Sequence, residues 1–162
     1  MSTMKRKLII SVIGGSLPTS ESYRLAELVG KELGRRGLMV CCGGLGGVME
    51  AVCKGAKSEG GVTVGILPGD DPKAANRYVD VPICTGIGHA RNVIVVKTGR
   101  AVIAIDGSYG TMSEIGHALA EGIPVVGIKT WTFLREGELD SGVVLAENPA
   151  DAVEQAVKLA EL

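Results

Sequence analysis

The chain has 162 residues, of which 46% are hydrophobic and 22% charged, and its formal net charge is −1. This composition is typical of a single globular domain covering residues 1–162 and excludes a disordered chain. The lack of a Lys/Arg block, and a content of one Trp, three Tyr and one Phe, argue against a nucleic-acid partner. No apolar run reaches the ~18 residues of a membrane span, and residues 8–13 are too few for a signal peptide. We therefore expect a cytoplasmic protein that does not bind membranes.

Apolar segments alternate with helical patterns along the whole chain. The apolar segments predict strands at residues 7–13, 38–42, 62–67, 81–84, 100–105 and 124–128. The helical patterns predict helices at residues 20–36, 47–59, 89–98, 111–121 and 149–162, and residues 131–142 are predicted to form an irregular loop. Several strand segments are apolar at every position, as in parallel strands that are covered on both faces. The pattern predicts an α/β fold, a single doubly wound, Rossmann-like domain with a mostly parallel sheet of six or seven strands.

The distribution of glycine provides the first indication of function. Of the 24 glycines, 11 follow five of the predicted strands: Gly14, Gly15, Gly43, Gly44, Gly46, Gly47, Gly69, Gly86, Gly88, Gly107 and Gly110. The carboxyl ends of parallel strands share one edge of the sheet, and ligands bind there. Glycine is also common in turns for purely structural reasons, but five such turns together favour a phosphate-bearing ligand at this edge.

The segment after the fifth predicted strand is the best candidate for the phosphate site. Backbone N–H groups at a helix N-terminus are unpaired and lie at the positive end of the helix dipole. We expect them to bind the phosphate through Gly107, Ser108, Tyr109, Gly110 and Thr111.

Several other ligand classes are disfavoured. No glycine-rich loop continues into Gly-Lys-Ser/Thr, so a P-loop is excluded. Residues 43–47 do not complete Gly-x-Gly-x-x-Gly because Met49 stands at the last position, which favours a mononucleotide-sized ligand over a dinucleotide. The four cysteines lack Cys-x-x-Cys spacing and are predicted to be small buried residues in a reducing compartment. With only two histidines, we predict no metal site.

Glu114 has two possible roles. Residues 111–114 match a capping box, in which Thr111 caps the helix and Glu114 reaches back to it. The buried stripe of this helix is predicted to contain Met112, Ile115, Ala118 and Leu119, which leaves Glu114 off the core face and near the ligand edge. A structural cap and a catalytic carboxylate are both compatible with this position.

Arg91 is predicted to lie in the first turn of a helix, where a cation opposes the helix dipole. An anionic ligand or a carboxylate such as Glu114 would explain this placement. The remaining alternative is an arginine that is simply solvated.

These segments resemble the LOG (Lonely Guy) superfamily over nearly the whole chain. The Arg91-Asn92 pair and residues 106–114 carry the resemblance, since the signature of the family is Pro-Gly-Gly-x-Gly-Thr-x-x-Glu. The matching positions are Arg91, Gly107, Gly110, Thr111 and Glu114, and the departures are Asn92, Asp106 and Ser108. The length and the Arg-Asn pair are most similar to the short branch of molybdenum cofactor carriers.

The resemblance implies two functions. One is hydrolysis of a nucleoside 5′-monophosphate to base and ribose 5-phosphate, with Glu114 and Arg91 as the catalytic residues and no cofactor required. The alternative is a non-catalytic carrier of a nucleotide or a molybdopterin-type ligand. Asp106 places a negative charge beside the phosphate site and argues against hydrolysis. The resemblance also implies a homodimer or a larger homo-oligomer. Lysine decarboxylation is not expected, because no lysine is predicted at the ligand edge.

Overall fold

The computed structural model describes residues 6–161. The strands are β1 (Ile9–Gly14), β2 (Met39–Cys42), β3 (Val62–Leu67), β4 (Val81–Cys84), β5 (Ala101–Ile105), β6 (Val125–Ile128), β7 (Leu134–Arg135), β8 (Glu138–Leu139) and β9 (Val143–Leu145). The α-helices are α1 (Ser20–Arg35), α2 (Val48–Ser58), α3 (Arg91–Thr98), α4 (Tyr109–Ala120) and α5 (Pro149–Ala160). Short 3-10 turns span Pro72–Ala74 and Gly88–Ala90.

Seven strands form one parallel sheet in the order β4-β3-β2-β1-β5-β6-β9. From β1 the chain proceeds outward through β2, β3 and β4, and then returns to the other side of β1 to form β5. The direction of winding therefore changes between β1 and β5. The predicted doubly wound α/β fold is confirmed, and the crevice where such folds bind ligands lies between these two strands.

Two apolar layers cover the sheet. Helices α1, α2 and α5 pack on one face and α3 and α4 on the other. Adjacent residues of a strand enter opposite layers, so that Val40 and Cys42 face α2 while Cys41 faces α3 and α4. Burial on both faces explains why the strand segments are apolar at every position.

The structure differs from the predicted elements at several points. Helix α4 begins two residues earlier than predicted, and α5 ends at Ala160, while Leu162 lies outside the described residues. The predicted irregular loop at residues 131–142 contains the antiparallel hairpin β7–β8, and β9 supplies the seventh strand of the sheet. Cys84 is exposed, so the prediction of four buried cysteines is wrong at that position. Within residues 6–161, no helix combines the length and the apolar character needed to cross a membrane.

Candidate functional site

The loops that follow β1 and β5 lie side by side at the carboxyl edge of the sheet. A Cβ placed on Gly15 would lie 3.6 Å from the Gly107 Cα. One residue earlier, a Cβ on Gly14 would lie 2.6 Å from Cγ1 of Val48, so only glycine fits between β1 and α2. The two predicted glycine loops are therefore neighbours at the switch point of the fold.

The N-terminus of α4 opens into this crevice. Ser108 is its N-cap residue, but the Ser108 side chain makes no capping hydrogen bond. The first helical hydrogen bond runs from the Met112 N–H to the Ser108 carbonyl at 3.0 Å. The N–H groups of Tyr109, Gly110 and Thr111 precede it, so they are free to bind an anion.

Helix α2 also begins at this edge without a side-chain cap. Its N-cap is Gly47, which has a φ of 69°, and the Val48 N–H donates to the Gly15 carbonyl at 3.0 Å. In contrast, Thr19 caps α1 and Asn148 caps α5 through their side-chain oxygens. Helices α2 and α4 thus begin without a side-chain cap after glycine-rich loops at the edge of the sheet, and α3, which follows the turn at Gly88–Ala90, also lacks one.

The predicted capping box at residues 111–114 is wrong. Thr111 lies inside the helix and is buried, because α4 begins at Tyr109. The helix starts early because Gly107 turns with a φ of 119° and Ser108 is extended, which makes Gly110 a helical residue rather than part of the turn. The Glu114 carboxylate makes no hydrogen bond with the part of the chain that the structure describes.

Glu114 is buried rather than turned away from the core. Its exposed fraction is 7%, and the buried residues of α4 are Thr111, Glu114, Ile115 and Ala118, whereas Met112 and Leu119 are half-buried. Burial raises the pKa of Glu114 to about 7, against the opposing effect of the positive charge of Arg91. A carboxylic acid with this pKa can donate or accept a proton near neutrality.

Arg91 is buried as well, so the solvated-arginine alternative is excluded. Its Nε donates to the Ile66 carbonyl at 2.8 Å and its Nη2 to the Gly43 carbonyl at 3.3 Å, and its Nη1 donates to the side chain of Asn92. Burial lowers the pKa of Arg91, and the charge of Glu114 opposes that effect. The cation at the start of α3 is therefore explained by carbonyl groups at the ends of β2 and β3 and by the nearby carboxylate.

The glycines after β2 differ in whether the surrounding structure requires glycine at their positions. A Cβ on Gly43 would lie 2.7 Å from Nη2 of Arg91, so the loop can approach the guanidinium only without a side chain. Gly44 adopts a φ of 77° and its Cβ would lie 2.8 Å from Leu67. Gly46, by contrast, faces open space, so no neighbouring atom of the protein would clash with a side chain at that position.

The loops after β3 and β4 are joined to each other. The Gly86 N–H donates to the Gly69 carbonyl at 3.1 Å, and the Gly88 N–H donates to the Pro68 carbonyl at 2.9 Å. The glycines of these two loops therefore form hydrogen bonds between the loops, and they lie away from the crevice between β1 and β5. The structure brings together Gly14, Gly15 and Gly47 with residues 107–111.

Asp106 uses one of the donors of the candidate phosphate loop. It adopts a φ of 55°, and its Oδ1 accepts the N–H of Gly107 at 2.7 Å. Its carbonyl accepts the Thr130 hydroxyl at 2.6 Å. The departure from the signature proline thus places a carboxylate at the entrance to the loop and occupies one backbone donor.

A cavity of about 250 Å³ lies beside this loop and is lined by Asp106, Gly107, Lys129, Thr130 and Trp131. The prediction that no lysine lies at this edge is wrong, since Lys129 directly follows β6 and pairs with Glu21 of α1. Lys129 and Trp131 were not predicted as site residues, because the glycines were the residues that indicated the edge of the sheet. Their position immediately after a buried strand was the available signal.

A larger cavity of about 470 Å³ lies at the opposite edge of the sheet, next to Lys97, Arg100 and Pro124. Its lining residues precede β5 and β6 or lie at the end of α5, where helices end instead of beginning. Ligands of open parallel sheets bind outside the carboxyl ends of the strands, so we favour the smaller cavity. Among residues 6–161, no cluster of three or more His, Cys, Asp or Glu side chains could hold a metal ion.

The fold and this edge define a Rossmann-like domain with the architecture of a small-molecule binding protein. The model of the SLOG cluster4 family matches residues 7–153, and the chain belongs to that family. An uncharacterised protein of Archaeoglobus fulgidus is 43% identical over 148 residues, which cover 91% of this chain and 93% of that protein.

Two solved structures are similar over nearly their entire length. The molybdenum cofactor binding protein of Rippkaea orientalis is 31% identical with a TM-score of 0.86, over 97% of this chain and 99% of that one. The molybdenum cofactor carrier protein of Chlamydomonas reinhardtii is 35% identical with a TM-score of 0.85, over 97% of this chain and 100% of that one. The resemblance predicted from the sequence is confirmed, including the carrier-like branch.

Proposed function

We propose that this chain is a carrier that binds a phosphorylated heterocycle of the pterin type, with the phosphate on the N-terminus of α4. The uncapped N–H groups of Tyr109, Gly110 and Thr111 carry the proposal, because they point a positive helix end into the crevice. The similarity to two molybdenum cofactor binding proteins supports a pterin phosphate over other phosphate esters. The glycines of the β1 and β2 loops, Gly14, Gly15, Gly43, Gly44, Gly46 and Gly47, would line the rest of the site. No cofactor is required for this role, since the pterin is the cargo.

Asp106 favours carriage over hydrolysis. Its carboxylate lies next to the loop and removes the Gly107 N–H from the donors available to a phosphate. A hydrolase uses the binding energy of non-reacting groups such as the 5′-phosphate to orient the bond that breaks, so the loss of one donor would lower its rate, whereas reversible carriage tolerates weaker binding.

A second candidate function, N-glycosidic hydrolysis of a nucleoside 5′-monophosphate, is favoured by the state of Glu114. Its side chain is 7% exposed, its carboxylate makes no hydrogen bond with the described residues, and burial raises its pKa to about 7. In the reaction, water adds to C1′ of the ribose while the C1′–N bond breaks, and the base departs with the electron pair and a proton. Glu114 would accept the proton of the attacking water and return it to solvent, the departing base would take its proton from solvent, and Arg91 would orient Glu114.

The phosphate site is tested with two substitutions of one residue. Tyr109 is the first residue of α4 and follows an extended Ser108, so proline is compatible with the fold at this position. Y109P removes one N–H donor and the ring, whereas Y109A removes the ring alone. Calorimetry with ribose 5-phosphate should show that Y109P binds at least about tenfold more weakly and that Y109A binds like the wild type. Equal affinity of all three proteins would contradict the placement of the phosphate.

Release of ribose 5-phosphate from AMP and GMP distinguishes the two functions. A carrier binds these nucleotides without turnover. A hydrolase releases ribose 5-phosphate, and E114Q abolishes the release while binding persists. Absence of turnover in the wild-type protein refutes the hydrolase, and absence of binding to GMP, AMP and a pterin monophosphate refutes both functions.

A cytoplasmic location and a homo-oligomeric state belong to the same proposal. The location is supported by four cysteines that are free in the structure, as expected in a reducing compartment. Light scattering after size-exclusion chromatography measures the oligomeric state, and we expect a mass of at least twice the 16.7 kDa of one chain.

A further inference from the structure

Two of the few aromatic side chains stand next to the proposed phosphate site. The rings of Tyr109 and Trp131 have centroids 6.0 Å apart and planes inclined by 32°. The Trp131 Nε1–H donates to the Ser108 carbonyl at 3.1 Å, which ties the indole to the N-cap residue of α4. The chain contains one Trp, three Tyr and one Phe, so this pair is a concentration of aromatic surface at one point of the edge.

The two rings differ in how they are supported. Trp131 is half-buried and packs against the apolar layer beneath α3 and α4, whereas Tyr109 is 76% exposed. At a centroid distance of 6.0 Å the rings already contact each other, so no third ring fits between them. Their outer surface is the part that remains available for a planar ligand.

The cavity beside Trp131 combines this aromatic wall with a carboxylate. Asp106 and Trp131 both line its volume of about 250 Å³. The Oδ1 of Asp106 is used by Gly107, while its Oδ2 makes no hydrogen bond with the described part of the chain. Sites for complete small ligands measure about 300–1,000 Å³, so this cavity suits one part of a ligand, such as a bicyclic ring.

We infer that this cavity is the ring subsite of the proposed ligand, with the heterocycle stacked on Trp131 and Tyr109 and its N–H donors bound by the carboxylate of Asp106. The inference rests on the proposed function, and it places the ring on the β6 side of the α4 N-terminus, with the glycines of the β1 and β2 loops on the other side of the bound phosphate. Oδ1 keeps a second lone pair beside the one used by Gly107, so the carboxylate can accept from two adjacent N–H donors, as on the 2-amino-4-oxo edges of pterins and guanine. Adenine lacks this pair of adjacent donors and would make only one of the two hydrogen bonds.

The sole Trp of the chain is also the reporter for the test. Binding of GMP should quench the fluorescence of Trp131, whereas ribose 5-phosphate, which has no ring, should bind in calorimetry and leave the emission unchanged. Y109A and W131L should bind GMP at least about fivefold more weakly, as expected for the loss of a stacking surface, and should bind ribose 5-phosphate like the wild type. W131F retains a ring and should restore GMP binding.

D106N tests how much the Asp106 carboxylate contributes to binding of the ring. It should weaken binding of GMP and of 6-hydroxymethylpterin monophosphate, leave AMP binding unchanged or stronger, and strengthen ribose 5-phosphate binding by removing a negative charge. L134A is the matched control, because Leu134 is a 70% exposed apolar residue of the β7–β8 hairpin that does not line this cavity. Its affinities should equal those of the wild type.

The two levels of the proposal fail in different ways. The ring subsite is refuted, and the proposed function stands, if the wild-type protein binds ribose 5-phosphate but Y109A and W131L bind GMP with the same affinity as the wild type. If the wild type binds none of the phosphate esters, the proposed function itself is refuted. Because Tyr109 is exposed, Y109A keeps the test decisive even if W131L does not fold.

Discussion

Replacement of Glu114 by glutamine should stabilise the protein at alkaline pH. The side chain is 7% exposed, and its pKa rises from 4.5 to about 7 because burial disfavours the charged form, although Arg91 opposes this effect. A buried carboxylate that is ionised at pH 8 therefore reduces the free energy of unfolding. Glutamine retains the shape of the side chain and removes the charge.

The magnitude follows from the two pKa values. A tenfold change in a proton-binding constant corresponds to about 1.4 kcal/mol, so a rise from 4.5 to about 7 costs up to about 3 kcal/mol once the group is ionised. The folded protein binds this proton more tightly than the unfolded chain. The contribution of Glu114 to stability is therefore most favourable below pH 4.5, decreases as the pH rises to about 7, and is constant above that.

Urea denaturation of the wild type and E114Q at pH 4.5 and pH 8 measures this difference. The variant should exceed the wild type by up to about 3 kcal/mol at pH 8 and by much less at pH 4.5. Glu154 is an exposed residue of α5, and E154Q serves as the matched control, for which no such pH-dependent gain is expected. If E114Q is less stable than the wild type at pH 8, the ionised carboxylate stabilises the fold and our account of its burial is incorrect.

The remaining predictions concern the groups around the site. R91K retains the charge but carries its donors on one nitrogen, whereas Arg91 uses Nε for the Ile66 carbonyl and Nη2 for the Gly43 carbonyl, so its free energy of unfolding should fall by about 1.5–3 kcal/mol in urea. G107A should destabilise the protein by about 1–3 kcal/mol because the φ of Gly107 is 119°. G116A should stabilise it by about 0.5–1 kcal/mol, because Gly116 lies in the middle of α4 and no neighbouring atom would contact the added Cβ. Thermal unfolding compares the two variants. Iodoacetamide should modify one cysteine of the native protein, the exposed Cys84, and intact-mass spectrometry would contradict this if it found two or more additions.

The carboxylate of Glu114 illustrates why a protein retains a group that lowers its stability. Carboxylic acids with a pKa near neutrality are typical of functional sites, and stabilising substitutions at such positions often reduce activity. The stability of E114Q measures the cost of the ionised carboxylate under either function, and only nucleotide turnover separates the two. A carrier would tolerate the substitution, whereas a hydrolase would not.

Much of the fold followed from local patterns. Continuous apolar runs predicted the parallel strands, because burial on both faces requires them to be apolar at every position. Asn148 and Pro149 marked the start of α5, and the structure places them at its N-cap and first position. The hairpin β7–β8 was missed because its strands have two residues each, which is too short for a periodic signal.

The site was only partly predictable for a different reason. The glycines at the strand ends indicated the correct edge of the sheet, since their need for close approach and positive φ is a local property. The start of α4 was misplaced because the capping-box spacing at Thr111 competes with the turn at Gly107, and the preference is decided by packing of Thr111 and Glu114 in the interior. Trp131 and Lys129 joined the site through the neighbouring positions of β5 and β6, which no local pattern specifies.

The amino-acid sequence by itself determined the class of fold, the family resemblance and the edge that carries the candidate site, because hydrophobic period, turn residues and motif spacing are properties of neighbouring residues. The tertiary structure decided the chemistry of that edge. It buried Glu114, assigned Arg91 to the carbonyl groups at the ends of two strands, and placed Trp131 against the loop of Asp106. These facts depend on contacts between residues that are far apart in the chain, and such contacts exist only once the sheet has brought the strand ends together.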